Sequence, residues 1–145
     1  MRLLIQRVKK SHVKVEKKII GKINQGLLIF FAAKKGDKLS QVKFLAKKTA
    51  FLRVFSDKEG KMNLSIKDVK GEILIVSQFT LYGDCQKGRR PSFIQSAEPQ
   101  EAKKLYKQYI KELQKEKIKV TSGIFQAKME VELINDGPVT FIIEK

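Results

Sequence analysis

The C-terminal segment of the chain, VELINDGPVTFIIEK, alternates apolar and polar side chains but is interrupted by a glycine and a proline. On each side of the break the apolar residues recur at every second position, as in a half-buried strand: Val131, Leu133, Val139, Phe141 and Ile143. Proline lacks the N–H that a strand ladder needs, and glycine weakens a strand interior. The segment therefore predicts two strands, Lys128–Ile134 and Val139–Ile143, joined in an unusual way at Gly137-Pro138.

Five more strands follow from short apolar or alternating runs bounded by turn residues. They are expected at Leu3–Val8, Val13–Ile20, Leu27–Ala32, Ile73–Val76 and Ile118–Thr121. The run Ile73–Val76 is continuously apolar, which is typical of a buried central strand.

Two helices are predicted. The first follows Gly36-Asp37, with Asp37 or Ser40 as its cap, and its apolar positions are Val42, Leu45, Ala46, Thr49 and Leu52. The second begins at Pro99, which suits a first helical position, and packs one stripe into the core: Ala102, Leu105, Tyr106, Tyr109, Ile110 and Leu113. A long exposed loop is expected from Tyr82 to Pro99. The sum is one α+β domain over residues 1–145, with about seven strands.

The charge balance points to a polyanionic partner. The net charge is +16, from 31 Lys and Arg against 15 Asp and Glu, and phosphates attract such a surface with release of counterions. The alternative is that the lysines only solvate the surface, as in many proteins from thermophiles. Charge alone leaves both open.

Cysteine and histidine usage excludes several site classes. The chain has one Cys and one His, so it has no internal disulfide and no zinc site of the usual spacing. A dyad of Cys85 with His12 is formally possible, but no neighbouring residue orients the thiol. The start of the chain is too weakly apolar for a signal peptide, and LLIFFAA is too short to span a membrane. We expect a cytoplasmic protein without a metal or cofactor.

Two short motifs are the candidate functional sites. Ser77-Gln78-Phe79-Thr80-Leu81 follows the buried strand, where polar groups are held rigidly and free N–H groups can bind an oxyanion; the alternative is an ordinary strand end. Asn135-Asp136-Gly137-Pro138-Val139-Thr140 has the composition of a tight turn. It also suits a cis peptide unit that presents two backbone carbonyls, with no glycine side chain in the way.

Taken together, the two motifs resemble the signatures of the D-aminoacyl-tRNA deacylases, the D-tyrosyl-tRNA deacylase family. The resemblance extends over essentially the whole chain. Its further segments are Gln6-Arg7-Val8, the loop KGRRPSF, the helix entry Ala97, Pro99, Ala102 and Leu105-Tyr106, and the series Gly123, Phe125, Ala127 and Met129.

The resemblance implies a barrel-like, mostly antiparallel sheet with two main helices, and a homodimer with active sites at the subunit interface. It implies hydrolysis of the ester of D-aminoacyl-tRNA, and of glycyl-tRNA as well. Ser77, Gln78, Phe79 and Thr80 would form the catalytic motif; Arg7, Phe125, Met129, Gly137 and Pro138 would bind the substrate. In this family the Gly-Pro bond is cis and reaches into the other subunit's site, where it rejects L-residues.

Some points differ from the family or stay open. The family usually has Phe-Gly-Ala where this chain reads Phe125-Gln126-Ala127, in the region that resembles the pocket for the terminal adenosine of tRNA. We favour a water nucleophile assisted by the neighbouring ribose hydroxyl, with Thr80 as the competing nucleophile. A non-enzymatic RNA-binding module and a hydrolase of another small ester are the rival functions.

Overall fold

The first strand, β1 (Arg2–Val15), organises the sheet. The computed structural model describes residues 1–145. The other strands are β2 (Lys18–Ile23), β3 (Gly26–Ala32), β4 (Phe55–Ser56), β5 (Met62–Leu64), β6 (Glu72–Ser77), β7 (Lys119–Ser122) and β8 (Glu130–Glu144). The helices are α1 (Leu39–Phe51) and α2 (Pro99–Lys115), and a short 3-10 turn covers Phe79–Tyr82.

The sheet is mixed and curls towards closure. Along one edge, β1 pairs antiparallel first with β3 and then with β2; along its other edge it pairs with β8 over almost its whole length. β6 joins β3 in parallel, and β7 joins β6 in parallel. Gly21 of β2 closes the curl, because a Cβ there would lie 3.1 Å from Leu74 Cδ1 of β6 and 3.3 Å from the Ser122 carbonyl of β7.

Alternation along the strands builds two apolar clusters on the two faces of the sheet. Leu27, Ile29 and Phe31 of β3 face the helices together with Ile73 and Ile75 of β6. The alternate residues form the smaller cluster inside the curl: Val8, Val13, Ile23, Leu28, Leu74 and Val76. The predicted α+β domain and the buried strand at Ile73–Val76 are confirmed.

The helices cover one face of the sheet. The stripe predicted for α2 packs in the core, with Leu105, Tyr106, Tyr109 and Leu113 buried. The Thr49 hydroxyl of α1 is hydrogen bonded to the Tyr109 hydroxyl at 2.8 Å, which joins the two helices inside the protein. Pro99 is at the start of α2, as predicted.

The predicted cap of α1 is wrong. Lys38 is the cap residue, and its backbone N–H donates to Gln41 Oε1. Asp37 does not cap the helix, because its carboxylate accepts from the Lys34 N–H at 2.7 Å and pairs with the Met1 amino group at 2.7 Å.

Several strand boundaries also differ from the prediction. The segments expected at Leu3–Val8 and Val13–Ile20 are one strand, β1, followed by a turn and β2. The last two predicted strands are likewise one strand, β8, in which residues 136–139 bulge out opposite Arg7. A short hairpin of β4 and β5 was not predicted. Tyr82, expected in an exposed loop, is buried under the Arg2 guanidinium.

No helix of the protein is both long enough and apolar enough to cross a membrane.

Candidate active site

An apolar cavity of about 550 Å3 opens where β3 and β6 end. Because these strands are parallel, their carboxyl ends reach the same edge of the sheet, and Phe31 is directly beside Ser77. The lining comes from four places: Phe31, Ala32 and Ala33 at the end of β3; Val76, Ser77, Gln78 and Phe79 at the end of β6; Ala97, Pro99 and Ala102 at the start of α2; and Phe125, Gln126, Ala127, Met129 and Val131 before and within β8. The cavity therefore has apolar walls and a polar rim.

The polar rim is the turn that follows β6. The Gln78 N–H is fixed by the Phe31 carbonyl at 2.8 Å, while its side-chain amide donates to the Thr80 hydroxyl. The turn's own bonds run from Leu81 N to Gln78 O and from Gly83 N to Thr80 O. They leave the N–H groups of Phe79 and Thr80 unused within the turn, as at the start of any helical segment. One amide side chain and two backbone donors thus belong to one short turn, of which Gln78 and Phe79 line the cavity.

Aromatic and sulfur side chains form the walls. Phe79 is 57% exposed and packs edge-to-face against Phe93, with ring centroids 5.0 Å apart. Phe125, on the other side, packs against Tyr106 at 5.7 Å. Met129 occupies space that any side chain at Gly123 would take, because a Cβ there would lie 2.5 Å from the Met129 sulfur.

Tyr106 links the wall to the strand that carries the motif. Its hydroxyl donates to the Ile75 carbonyl at 2.9 Å, two residues before Ser77. Burial raises the pKa of Tyr106 to about 12, although a hydrogen bond with Ser122 acts the other way. The phenol is therefore a neutral structural donor at ordinary pH.

Arg2 holds the far end of the same turn. Its guanidinium donates to the Leu81 carbonyl and to the Glu144 carboxylate, and it lies 4.8 Å from the centre of the Tyr82 ring. The turn is thereby tied to the first and last strands.

Arg7, Gly137 and Pro138 are outside this cavity. The Gly137–Pro138 peptide bond is cis, as the resemblance implied, and both residues are exposed in the bulge of β8. The buried Arg7 donates to the Asp136 carbonyl at 3.1 Å and pairs with its carboxylate at 2.9 Å. On the other side, Asn135 Nδ2 donates to the Arg7 carbonyl at 2.9 Å and to the Val139 carbonyl at 3.3 Å. The Gly-Pro unit is thus a braced projection that faces away from its own chain.

His12 and Cys85 are elsewhere. His12 Nε2 lies 3.6 Å from the Glu132 carboxylate, and Cys85 is exposed in the loop before α2. No cluster of three or more His, Cys, Asp or Glu side chains is present. Neither residue contributes to the cavity.

A sequence profile of the family described as D-Tyr-tRNA(Tyr) deacylase matches residues 4–144. The chain belongs to the D-aminoacyl-tRNA deacylase family. This is a family of hydrolases that act on aminoacyl-tRNA esters.

Relatives in the family match the chain over its full length. It is 56% identical to the D-aminoacyl-tRNA deacylase of Dictyoglomus turgidum, over 99% of this chain and 92% of that protein. It is 53% identical to the D-aminoacyl-tRNA deacylase of Thermosipho africanus, over 99% of this chain and 97% of that protein. Among solved structures it is similar to the c-Myc DNA Unwinding Element Binding Protein, with 33% identity, a TM-score of 0.93, and coverage of 100% of this chain and 99% of that one.

A second solved structure, titled a probable eukaryotic D-amino acid tRNA deacylase, has 19% identity and a TM-score of 0.81, over 98% of this chain and 97% of that one. At this identity the likeness concerns the fold alone. It agrees with the nearly closed, barrel-like sheet and two helices that the resemblance implied.

The structure brings some of the predicted residues of this deacylase-family chain together and separates others. Ser77, Gln78, Phe79, Phe125 and Met129 line the cavity, and Thr80 is attached through Gln78. The wall at the end of β3, Phe31 to Ala33, was not predicted from the sequence. The signal for it would have been a parallel pairing of two neighbouring apolar strands, whose ends must meet at one edge.

Gln126, the departure from the family pattern, is exposed at the cavity rim with φ +67. A left-handed backbone is the conformation that glycine adopts without cost. The substitution therefore places both a side chain and a strained backbone beside the cavity.

Proposed function

We propose that this protein hydrolyses the ester bond of D-aminoacyl-tRNA in the cytoplasm, releasing a free D-amino acid and tRNA. The observation that carries the proposal is the cavity of about 550 Å3 with the Ser77–Thr80 motif at its mouth. Its apolar walls suit a nucleoside and an amino-acid side chain, and its polar groups stand on one side, where an ester carbonyl would lie. The basic surface suits the phosphates of the acceptor stem, which add affinity without sequence preference.

The chemistry needs positioning and charge stabilisation more than a strong protein base. An aminoacyl ester has an activated alcohol as its leaving group, so donors aimed at the developing oxyanion supply most of the rate enhancement. We assign that role to the Gln78 amide and the adjoining backbone N–H groups. Water is the nucleophile, assisted by the neighbouring ribose hydroxyl.

Thr80 is the second candidate nucleophile. Its hydroxyl accepts a hydrogen bond from the Gln78 amide, an uncharged group that cannot take up its proton. The single histidine and the single cysteine are both outside the cavity. This favours water over Thr80, since an activated hydroxyl needs an adjacent base.

We further propose a homodimer in which Gly137-Pro138 of one subunit enters the cavity of the other and rejects L-residues. Three features support it. The Gly-Pro unit is exposed and outside its own cavity. Arg7 and Asn135 hold its backbone. The same strand exposes large apolar side chains, with Ile142 64% and Ile134 46% exposed, which a partner subunit would cover.

Rejection by backbone carbonyls is steric. An L-residue would direct its side chain at the carbonyls, whereas a D-residue directs it elsewhere, so the wrong enantiomer is excluded more than the right one is held. Glycine has no side chain to collide, and glycyl-tRNA is therefore a substrate as well.

The direct test is release of amino acid from tRNA charged with D-tyrosine, L-tyrosine or glycine. We expect rapid release from the first and third and little from the second. If all three amino acids stay on the tRNA while RNA binding is intact, the protein is an RNA-binding module and not a hydrolase. Cleavage of simple amino-acid esters but not of charged tRNA would point to a small-ester hydrolase.

A mixing experiment tests whether the filter acts between subunits. Gln78→Ala damages the cavity and Gly137→Ala damages the projection, because the added Cβ would lie 3.0 Å from Asn135 Oδ1 and beside the presented carbonyls. If the projection serves the partner, a dimer with one subunit of each kind has one undamaged site. Its D-selective release rate should then be about half that of the parent dimer, which has two such sites. If it serves its own subunit, both sites stay damaged and mixing restores nothing, which would reject the proposal.

A further inference from the structure

A second cavity, of about 480 Å3, lies on the exposed side of α1. We call it the α1 groove; its lining residues are Phe44, Lys47, Lys48, Phe51, Leu52 and Arg53. It shares no residue with the cavity at the ends of β3 and β6. The apolar side of the same helix is already used, because Val42, Leu45, Ala46, Thr49 and Ala50 are buried. The groove is therefore a feature of the outer face.

Two phenylalanines are exposed there without serving the core. Phe44 is 49% exposed and Phe51 is 50% exposed. They are seven residues apart, so they lie on the same side of the helix, about 10 Å apart along its axis. Lys145 Nζ lies 5.2 Å from the centre of the Phe44 ring, and Lys67 Nζ lies 4.6 Å from that of Phe51. Each ring is thus about half exposed and has a cation beside it.

The charge of the groove is of one sign. Helix α1 contains no Asp or Glu, and Lys47, Lys48 and Arg53 take part in no ion pair. Of the nearby carboxylates, which are on other segments, Glu116 and Glu112 are matched to other cations and Asp68 accepts hydrogen bonds from Ser65. Glu116 pairs with Lys67 at 2.8 Å, and Glu112 pairs with Lys115 at 2.7 Å. Arg53 also helps to lower the pKa of Asp68, behind its hydrogen bonds with Ser65.

We propose that the α1 groove binds a single-stranded segment of RNA, with bases stacked on Phe44 and Phe51 and phosphates beside Lys47, Lys48 and Arg53. Exposed aromatic rings interleaved with unpaired cations are the combination that single-stranded nucleic acids select, because every base has a π-face. An anionic membrane fits less well, since lysines divide the two rings and the continuous apolar side of the helix faces the core.

The proposal goes beyond the proposed hydrolysis, because this groove has no part in the chemistry. Where the RNA is a charged tRNA, the groove adds affinity at a distance from the ester. Its failure is also distinguishable from failure of the hydrolase, since binding of an uncharged oligonucleotide is measured without any reaction.

The test is fluorescence anisotropy with a labelled single-stranded 12-mer RNA. We expect the double variant Phe44→Ala/Phe51→Ala to bind at least tenfold more weakly, because it removes both rings on which bases stack. Phe44→Leu/Phe51→Leu should be equally weak, since leucine keeps apolar area but has no π-face. Phe44→Trp/Phe51→Trp should retain binding.

A charge pair and its control complete the design. Lys47→Glu/Lys48→Glu should weaken binding and reduce its salt dependence. Lys107→Glu/Lys111→Glu makes the same charge change at exposed positions of α2. The fold-loss of RNA affinity in this control should be less than a third of the fold-loss in Lys47→Glu/Lys48→Glu. Single-turnover deacylation at saturating substrate should be unchanged in all of these variants.

Three results would overturn the proposal. One is unchanged RNA affinity in a folded Phe44→Ala/Phe51→Ala protein. Another is full RNA binding by Phe44→Leu/Phe51→Leu, which would show that bases do not stack on these rings. The third is that the groove variants lose binding to phosphatidylserine vesicles but keep their binding to RNA, which would indicate a membrane surface.

Discussion

Arg7 Nε lies 2.9 Å from the Asp136 carboxylate and 3.1 Å from the Asp136 carbonyl, while another nitrogen of the same guanidinium donates to the Val54 carbonyl at 2.6 Å. One buried side chain therefore joins β1, the bulge of β8 and the segment after α1. It contacts Asp136, the residue before Gly137, at both the carboxylate and the backbone carbonyl.

Replacing Arg7 should uncouple the projection from the rest of the fold. Arg7→Ala leaves the buried Val54 carbonyl without its donor, at a cost of about 1–3 kcal/mol in the free energy of unfolding. Arg7→Lys keeps the charge but loses the planar fork. We expect lysine to restore part of the stability and little of the D-over-L preference, measured by denaturant unfolding and by parallel release assays. Full preference in Arg7→Ala would argue that the brace has no role in selection.

Gln78→Ala should slow the chemical step. If the Gln78 amide supports the oxyanion, its loss should reduce the single-turnover rate by roughly 10²–10³-fold, the usual effect of one such donor. The side chain is only half-buried and joins no core cluster, so the melting temperature should change little. A near-parental rate would remove Gln78 from the proposed mechanism.

Thr80→Val separates the two nucleophiles. With water as the nucleophile, this variant loses only the hydroxyl that accepts from Gln78, and we expect it to retain activity within about tenfold, the scale of a single neutral hydrogen bond. Mass spectrometry of the quenched parent enzyme should detect no aminoacyl adduct. An adduct on Thr80 would establish the competing mechanism.

Alkaline pH should destabilise the fold through its tyrosines. Burial raises the pKa of Tyr106 from 10.0 to about 12, so between these values the unfolded chain has lost a proton that the folded chain keeps. The unfolding free energy therefore falls as the pH rises through this range. Tyr106→Phe should show a shallower fall in urea unfolding between pH 9 and 12. It should also lose about 1 kcal/mol at neutral pH, because the Ile75 carbonyl loses a donor. A parallel fall in both proteins would assign the effect to other groups.

Gln126→Gly should stabilise the protein. A left-handed backbone costs an L-residue about 1–2 kcal/mol, of which the greater freedom of glycine in the unfolded chain cancels about 0.5–1 kcal/mol. Gln126→Ala removes the same side chain but keeps the strain, so it is the matched control. We expect a higher melting temperature for the glycine variant than for the alanine variant. Equal temperatures would show that the φ of +67 is not costly here.

Periodicity identified the apolar faces of the strands but not their neighbours. The run Ile73–Val76 was recognisable as a buried strand, but its parallel pairing with β3 and β7 was not, because the burial pattern of a strand is the same whichever strand is beside it. The continuity of β1 was missed because Lys9 and Lys10 are exposed within it. The motif after β6 was predicted from residue types and resemblance, but the opposite wall, at Phe31, depends on the strand order and needed the structure.

The pairing of β1 with β8 joins the first strand of the chain to the last, from Arg2 opposite Glu144 to Lys14 opposite Glu130. During synthesis on a ribosome, β1 emerges long before its partner, with one edge open until the final strand has left the exit tunnel. Contacts so distant in sequence close slowly, and an open edge is a site for pairing with other chains. Completion of this sheet therefore waits for β8, and until then the open edge of β1 has to be kept from pairing with other chains.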